Sequence, residues 1–134
     1  DARGRLEAMI RFLCRAYYTI QTGLDRDLYR LFVREAGNPG AHFREMMARH
    51  LRPGRERLCA LLRDHLGPGV PDRVIDDCEY SISAQILHGA LGWSIISATQ
   101  PGRAPFTEDV ERLADHVVRF SLAGLEAFRC SEAR

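Results

Sequence analysis

The sequence predicts an all-α fold of five to six helices, on three observations. Apolar residues recur at intervals of three and four through most of the chain, and no run alternates with the period of two that a half-buried strand requires. Gly, Pro, Asn and Asp cluster at a few points that cut the chain into helix-length pieces. There is no internal repeat, and 134 residues make one domain. A chain of that size buries about two-thirds of its unfolded surface and folds without staples.

The first helix is expected over residues 4–21, with Leu6, Met9, Ile10, Leu13, Tyr17 and Ile20 on one face, Phe12 and Ala16 beside it, and Gly23 as its end. Asp25 offers a cap to a short second helix holding Leu28, Leu31, Phe32 and Glu35, which Gly37 stops. Asn38 as cap with Pro39 at the first helical position predicts the start of a third helix through Phe43, Met46, Met47 and Leu51. Pro53 removes a backbone donor and is expected to kink or split that helix before Leu58, Leu61, Leu62 and Leu66. Residues 67–71, GPGVP, read as a loop.

A long helix is then expected from Asp72 to about Thr99, buried from two sides. One face carries Ile75, Cys78, Ile82, Ile86, Gly89, Trp93 and Ile96; the other carries Val74, Ala84, Leu87, Leu91 and Ile95. Gly89, Ala90 and Gly92 fit a place where another backbone approaches closely. The chain turns at residues 100–105 into a last helix over Thr107 to Phe128. Thr107 is its expected cap, and Glu108, Asp109 and Glu111 face its positive end. Its apolar residues form two stripes: Val110, Leu113, Val117, Phe120, Gly124 and Phe128, and next to them Ala114, Val118, Leu122 and Leu125. Two stripes are wider than one neighbour needs. One can serve the chain's own core and the other a second copy, although an ordinary core helix is the plainer reading.

Composition excludes several functions. No apolar run approaches the roughly 18 residues that span a bilayer. All 19 basic residues are Arg, so Schiff-base chemistry on lysine is impossible. Residues 1–70 hold 13 Arg against 8 acids and residues 71–134 hold 6 against 10, too small and scattered a surplus for a nucleic-acid footprint. Cys14, Cys59, Cys78 and Cys130 form no C-x-x-C, so they read as incidental or buried thiols, with a disulfide or redox sensor as the less favoured alternative. The five histidines lie at 42, 50, 65, 88 and 116, with no Glu-x-x-His or His-Glu-x-x-His. Gly-rich phosphate loops and nucleophile elbows are missing as well. No catalytic residue, metal or cofactor is assigned, and an enzyme is not expected.

What remains is polar groups set in apolar stretches. Gln85, His88, Tyr17, Tyr80 and Trp93 could each orient a ligand in an apolar cavity, against the default of core hydrogen bonding or packing. Glu35 reads as a solvated or capping charge. Phe32, Phe43, Met46 and Met47 read as core, though Met-rich walls adapt to varied ligands.

In order and spacing the chain resembles the C-terminal regulatory domain of TetR-family transcriptional regulators, in the subgroup with a CecR-like C-terminal domain. The resemblance rests on LYRLFVREAGNP at 28–39, SISAQILHG at 81–89 and ADHVVRFSLAGLEAF at 114–128, and its most specific part is Phe120 to Leu125. It implies a cytoplasmic bacterial homodimer whose last two helices per subunit form a four-helix bundle, with a small apolar or aromatic effector enclosed by the preceding helices and the long helix. It implies operator DNA as a partner only through an N-terminal helix-turn-helix, which this sequence does not contain. On that reading Leu13, Tyr17, Phe32, Phe43, Met47, Leu58, Leu62, Gln85 and Ile86 are expected around the effector. Leu91, Trp93, Ile95, Val117, Phe120, Gly124, Leu125 and Phe128 are expected on the dimer seam, with Gly124 at a close crossing. The alternatives are a stand-alone helical small-molecule-binding protein, a small all-α enzyme, or an interaction scaffold without a cavity.

Overall fold

The computed structural model describes the backbone of residues 1–22 and 26–131 and the side chains of residues 1–19 and 30–129. Among the described residues the chain forms six α-helices and no strand. They are α1 (Ala2–Thr22), α2 (Arg26–Ala36), α3 (Ala41–Leu66), α4 (Asp72–Leu91), α5 (Trp93–Thr99) and α6 (Val110–Ser131), with one 3-10 turn at Phe106–Glu108. The expected cap at Asp25 and the stop at Gly23 lie outside the described residues, as does the side chain of Cys130.

Helix α1 is the central strut, packed on α3, α4 and α6. Its innermost line is Leu6, Ile10, Cys14 and Tyr18, each four residues from the last, and Met9, Leu13 and Tyr17 flank it. The sequence stripe ran through Tyr17; the residue at the centre is Tyr18. Its ring is 1% exposed, and its hydroxyl donates to the Ile86 carbonyl at 3.0 Å, which satisfies a polar tip in the core.

Several boundaries differ from the expectation. Helix α3 begins after Gly40, in extended conformation, while Asn38 belongs to a turn closed by its N–H to the Glu35 carbonyl at 3.2 Å. The start signal at Asn38-Pro39 therefore marks the turn between two helices. Pro53 does not split α3, which runs for 26 residues through it. The proline lies on an exposed face, where water can satisfy the carbonyl that loses its partner. The long fourth helix is interrupted: Gly92, at φ −93 and ψ 9, closes α4 with its N–H on the His88 carbonyl and restarts the chain as α5. The cap of α6 is Asp109, whose carboxylate accepts the Arg112 N–H at 3.0 Å; Thr107 lies in the 3-10 turn before it.

The core joins α1, the second half of α3, α4 and α6. Its members beyond α1 include Leu58, Leu62 and Leu66, then Ile75, Cys78, Ile82 and Ile86, then Leu113, Ala114, Val117, Val118, Leu122 and Leu125. The stripes drawn on α6 are redistributed. Its buried face is Leu113, Ala114, Val117, Val118, Ser121, Leu122 and Leu125, whereas Phe120 and Phe128 are exposed. A step of three turns a helix back by about 60° and a step of four advances it by about 40°. The series Val117, Phe120, Gly124 thus leaves the inner face at its first step.

The uneven charge of the two halves is used inside the molecule. Arginines of α1 reach acids of α6, Arg15 holding Glu111 through two bonds at 2.7 and 2.9 Å and Arg11 meeting Asp115. Arg55 and Arg63 of α3 do the same with Asp76, Glu79 and Asp72 of α4. The exposed pairs among them contribute little each, about 0–1 kcal/mol, but together they join the early helices to the late ones in register.

Candidate functional site

Beside the packed core lies a region where α1, α2, the first half of α3 and α4 enclose space. A cavity of about 320 Å³ is lined by Tyr17 of α1, Phe32 of α2, Phe43, Met46, Met47, His50 and Leu51 of α3, and Leu87, Ala90 and Leu91 of α4. The α3 residues recur at three and four, so one face of that helix is turned to the cavity. The rings of Phe32 and Phe43 meet at 5.9 Å and close the α2 side. A space of this size, with apolar and aromatic walls, suits a small organic molecule.

A second cavity of about 380 Å³ adjoins the first along Tyr17, His50, Leu51 and Leu87. Its apolar lining includes Leu13, Leu58 and Ile86, and its wall carries Arg55, Glu79 and Ser83. Ser83 donates its hydroxyl to Glu79 Oε1 at 2.7 Å, while the Arg55 Nε lies 3.2 Å from Glu79 Oε2. The same guanidinium reaches Asp76 at 2.8 Å. Burial, and then the charge of Glu79, push the Tyr17 phenol above its ordinary range, so it stays neutral and can donate a hydrogen bond.

Of the residues expected around an effector, Tyr17, Phe32, Phe43 and Met47 line the first cavity, and Leu13, Tyr17, Leu58 and Ile86 the second. Leu62 lies outside both, in the fully buried core one turn beyond Leu58. Gln85 is also outside: its amide donates to Ser121 Oγ at 3.3 Å and to the Ser81 carbonyl, which ties α4 to α6. The sequence reading missed His50, Leu87, Ala90 and the polar wall. Leu87 sat on the second face of α4 together with Leu91, which was the available signal. Glu79 and Arg55 gave none, because only packing brings them together across two helices.

The residues expected on a seam divide as well. Val117 and Leu125 are buried in the chain's own core, which removes them from any surface, and Leu91 lines the first cavity. Trp93 is half-buried, with its ring edge-on to Phe106 at 6.2 Å. Ile95, 64% exposed, Phe120, 63% exposed, and Phe128 face outward. Nothing described comes within 4 Å of a Cβ placed on Gly124, so no described helix of this chain crosses there. Tyr80 and His88 are exposed rather than inside the bundle. Gly89 is the close approach foreseen on α4, but side chains make it: Tyr18 and Phe106 press against it.

Chemically the site is a container. Among the described residues no group of three or more His, Cys, Asp and Glu side chains is placed to hold a metal ion. Cys14, Cys59 and Cys78 are free and buried, and burial pushes the Cys14 thiol up to about 11, far from thiolate reactivity. No described helix is long and apolar enough to cross a membrane.

No curated protein and no solved structure matches the chain. A family model does, over residues 2–125: the C-terminal domain of the HTH-type transcriptional dual regulator CecR. That match runs from the first turn of α1 through Leu125, the last described buried residue of α6, and so takes in the whole cavity-bearing bundle. The chain belongs to this family of C-terminal domains of TetR-type transcriptional regulators.

Proposed function

We propose that this domain senses a small apolar or aromatic effector and works as a homodimer, setting the spacing of DNA-binding heads carried on a helix-turn-helix outside this sequence. The observation that carries the reading is the pair of adjoining cavities between α1, α2, α3 and α4, beside a core that is otherwise closely packed. An effector there touches α1, which is tied by ion pairs to α6, so a change in the cavity can reach the outer face of the bundle. The effector acts by binding one spacing of the heads better than another; equal affinity for both would shift nothing. The family has no catalytic role in this reading, and the protein acts where DNA is, in the cytoplasm.

The dimer face is the outward flank of α6, with Phe120, Ala123, Gly124, Ala127 and Phe128. Large exposed apolar residues beside small ones let a second helix approach closely. Phe120→Asp and Gly124→Arg should each give a folded monomer by sedimentation equilibrium, and an unchanged dimer in both would remove this face from the proposal. Met47→Trp should fill the first cavity. The variant should keep its fold and lose the thermal stabilisation that naphthyl compounds give the parent chain; equal stabilisation of both would place the effector elsewhere.

A further inference from the structure

We infer that the joined cavities select amphiphilic organic cations, molecules with an aromatic or branched apolar body and one protonated amine, and that Glu79 is the residue that makes the selection. The inference rests on the effector reading above and gives it a chemical class. The body fits the first cavity, where Phe32, Phe43 and the methionines offer adaptable apolar walls. The head would reach past Tyr17 and Leu87, which the two cavities share, to the polar wall of the second.

The charge of that wall favours a cation. Glu79 is well sheltered, its side chain 12% exposed, and Asp76 stands next to it; Arg55 is the single guanidinium between the two carboxylates. The wall itself holds one carboxylate and one guanidinium, and Asp76, 55% exposed and outside the lining, draws that guanidinium outward, so Glu79 is the group left to meet an ammonium. A carboxylate has about four lone-pair positions, and Glu79 uses one for Ser83 and one for Arg55, so it can still accept from a ligand N–H. Arg55 is half exposed and can swing toward Asp76 alone when an amine arrives. An anion would face Glu79 directly, and the charge of Arg55, held at 2.8 and 3.2 Å by two carboxylates, is already offset. His50 is the other titratable lining group, and Tyr17 stays neutral, offering its ring face to a cation and its hydroxyl to any head group.

The test is calorimetric titration of the 134-residue chain at pH 7 with three ligands on one naphthyl-butyl skeleton: the amine, the alcohol and the carboxylic acid. The amine should bind about tenfold tighter than the alcohol, and the carboxylate weakest. In Glu79→Gln the amine's advantage should fall below about threefold while the alcohol's affinity stays the same, which also reports that the cavity is intact. Arg55→Gln gives an independent arm, since freeing Glu79 should tighten the amine and weaken the carboxylate. Equal binding of all three by the parent chain, or a preference for the carboxylate, would overturn the charge selection and leave the cavity's role standing. If none of the three binds, the effector reading falls and the inference with it.

Discussion

The two halves of α3 differ in what covers their apolar faces. From Leu58 onward the helix buries Leu58, Cys59, Leu62, His65 and Leu66 against α1, α4 and α6; before Pro53 none of its residues is buried, although Phe43, Met46, Met47 and Leu51 are equally apolar. One half is a wall of the core and the other a wall of a cavity. The difference shows that apolar residues at helical spacing specify only that a face seeks cover. Whether the cover is protein or empty space depends on how closely the next helix approaches, and α2 with the first half of α3 stands off from α4 where the rest of α3 does not.

The comparison can be broken most directly by truncation on each side. Leu62→Ala, in the packed half, should cost about 2–5 kcal/mol in urea unfolding followed by circular dichroism. Met47→Ala, in the hollow half, should cost less than about 1 kcal/mol, because its side chain already borders empty space. Similar costs for the two would mean that the hollow half is packed in solution.

On the face of α4 that meets α1 and the 3-10 turn, Gly89→Ala tests how closely the packed side is filled. A methyl group there would press into the Tyr18 hydroxyl and lie 2.7 Å from the Phe106 ring. Such overpacking costs about 1–3 kcal/mol, against a gain of about 1 kcal/mol in helix propensity. A net loss is therefore expected in the same unfolding measurement; a net gain would show that Phe106 moves aside freely. Tyr18→Phe removes one buried hydrogen bond and leaves the ring, so its cost should be nearer 1 kcal/mol.

The smallest effect belongs to His65, on the packed side. Its Nε2 has no hydrogen-bond partner among the described residues, and Glu126 Oε1 lies 3.7 Å away. Burial, helped by Arg129 and Arg3 and opposed by Glu126, lowers its pKa below the ordinary 6.5. The unfolded chain therefore binds the proton more readily than the folded one. Stability should be full above pH 6.5 and decline as the pH falls through the interval down to the lowered value. In His65→Gln that decline should vanish from unfolding curves taken between pH 7 and pH 5. Glu111 has the opposite origin and a lower window, since its bond to Arg15 depresses its pKa below 4.5. Its contribution is present above that value and lost on further acidification, so His65→Gln and the parent should share the fall there.

Much of this was legible before any coordinates. The helical class, the number of helices and the inner face of α4 from Ile75 to Gly89 follow from spacing and punctuation alone, because period and breakers act locally; Tyr17, Phe32, Phe43 and Met47 were expected near an effector only through the family resemblance. The sequence also determined the material of the cavity, a set of aromatic, methionine and leucine side chains without lysine or a metal-binding pattern. Tertiary structure decided the rest. It turned Val117 and Leu125 inward and left Phe120 and Gly124 outside, a matter of rotation by a fraction of a turn that several stripes on one helix satisfy equally well. It interrupted the fourth helix at Gly92, and it took Gln85 to Ser121 and Leu62 to the core. It also brought Arg55, Asp76 and Glu79 together from two helices at the edge of the cavity. Such meetings depend on the distance between helices, and that distance is set by the packing of every side chain between them rather than by any one stretch of sequence.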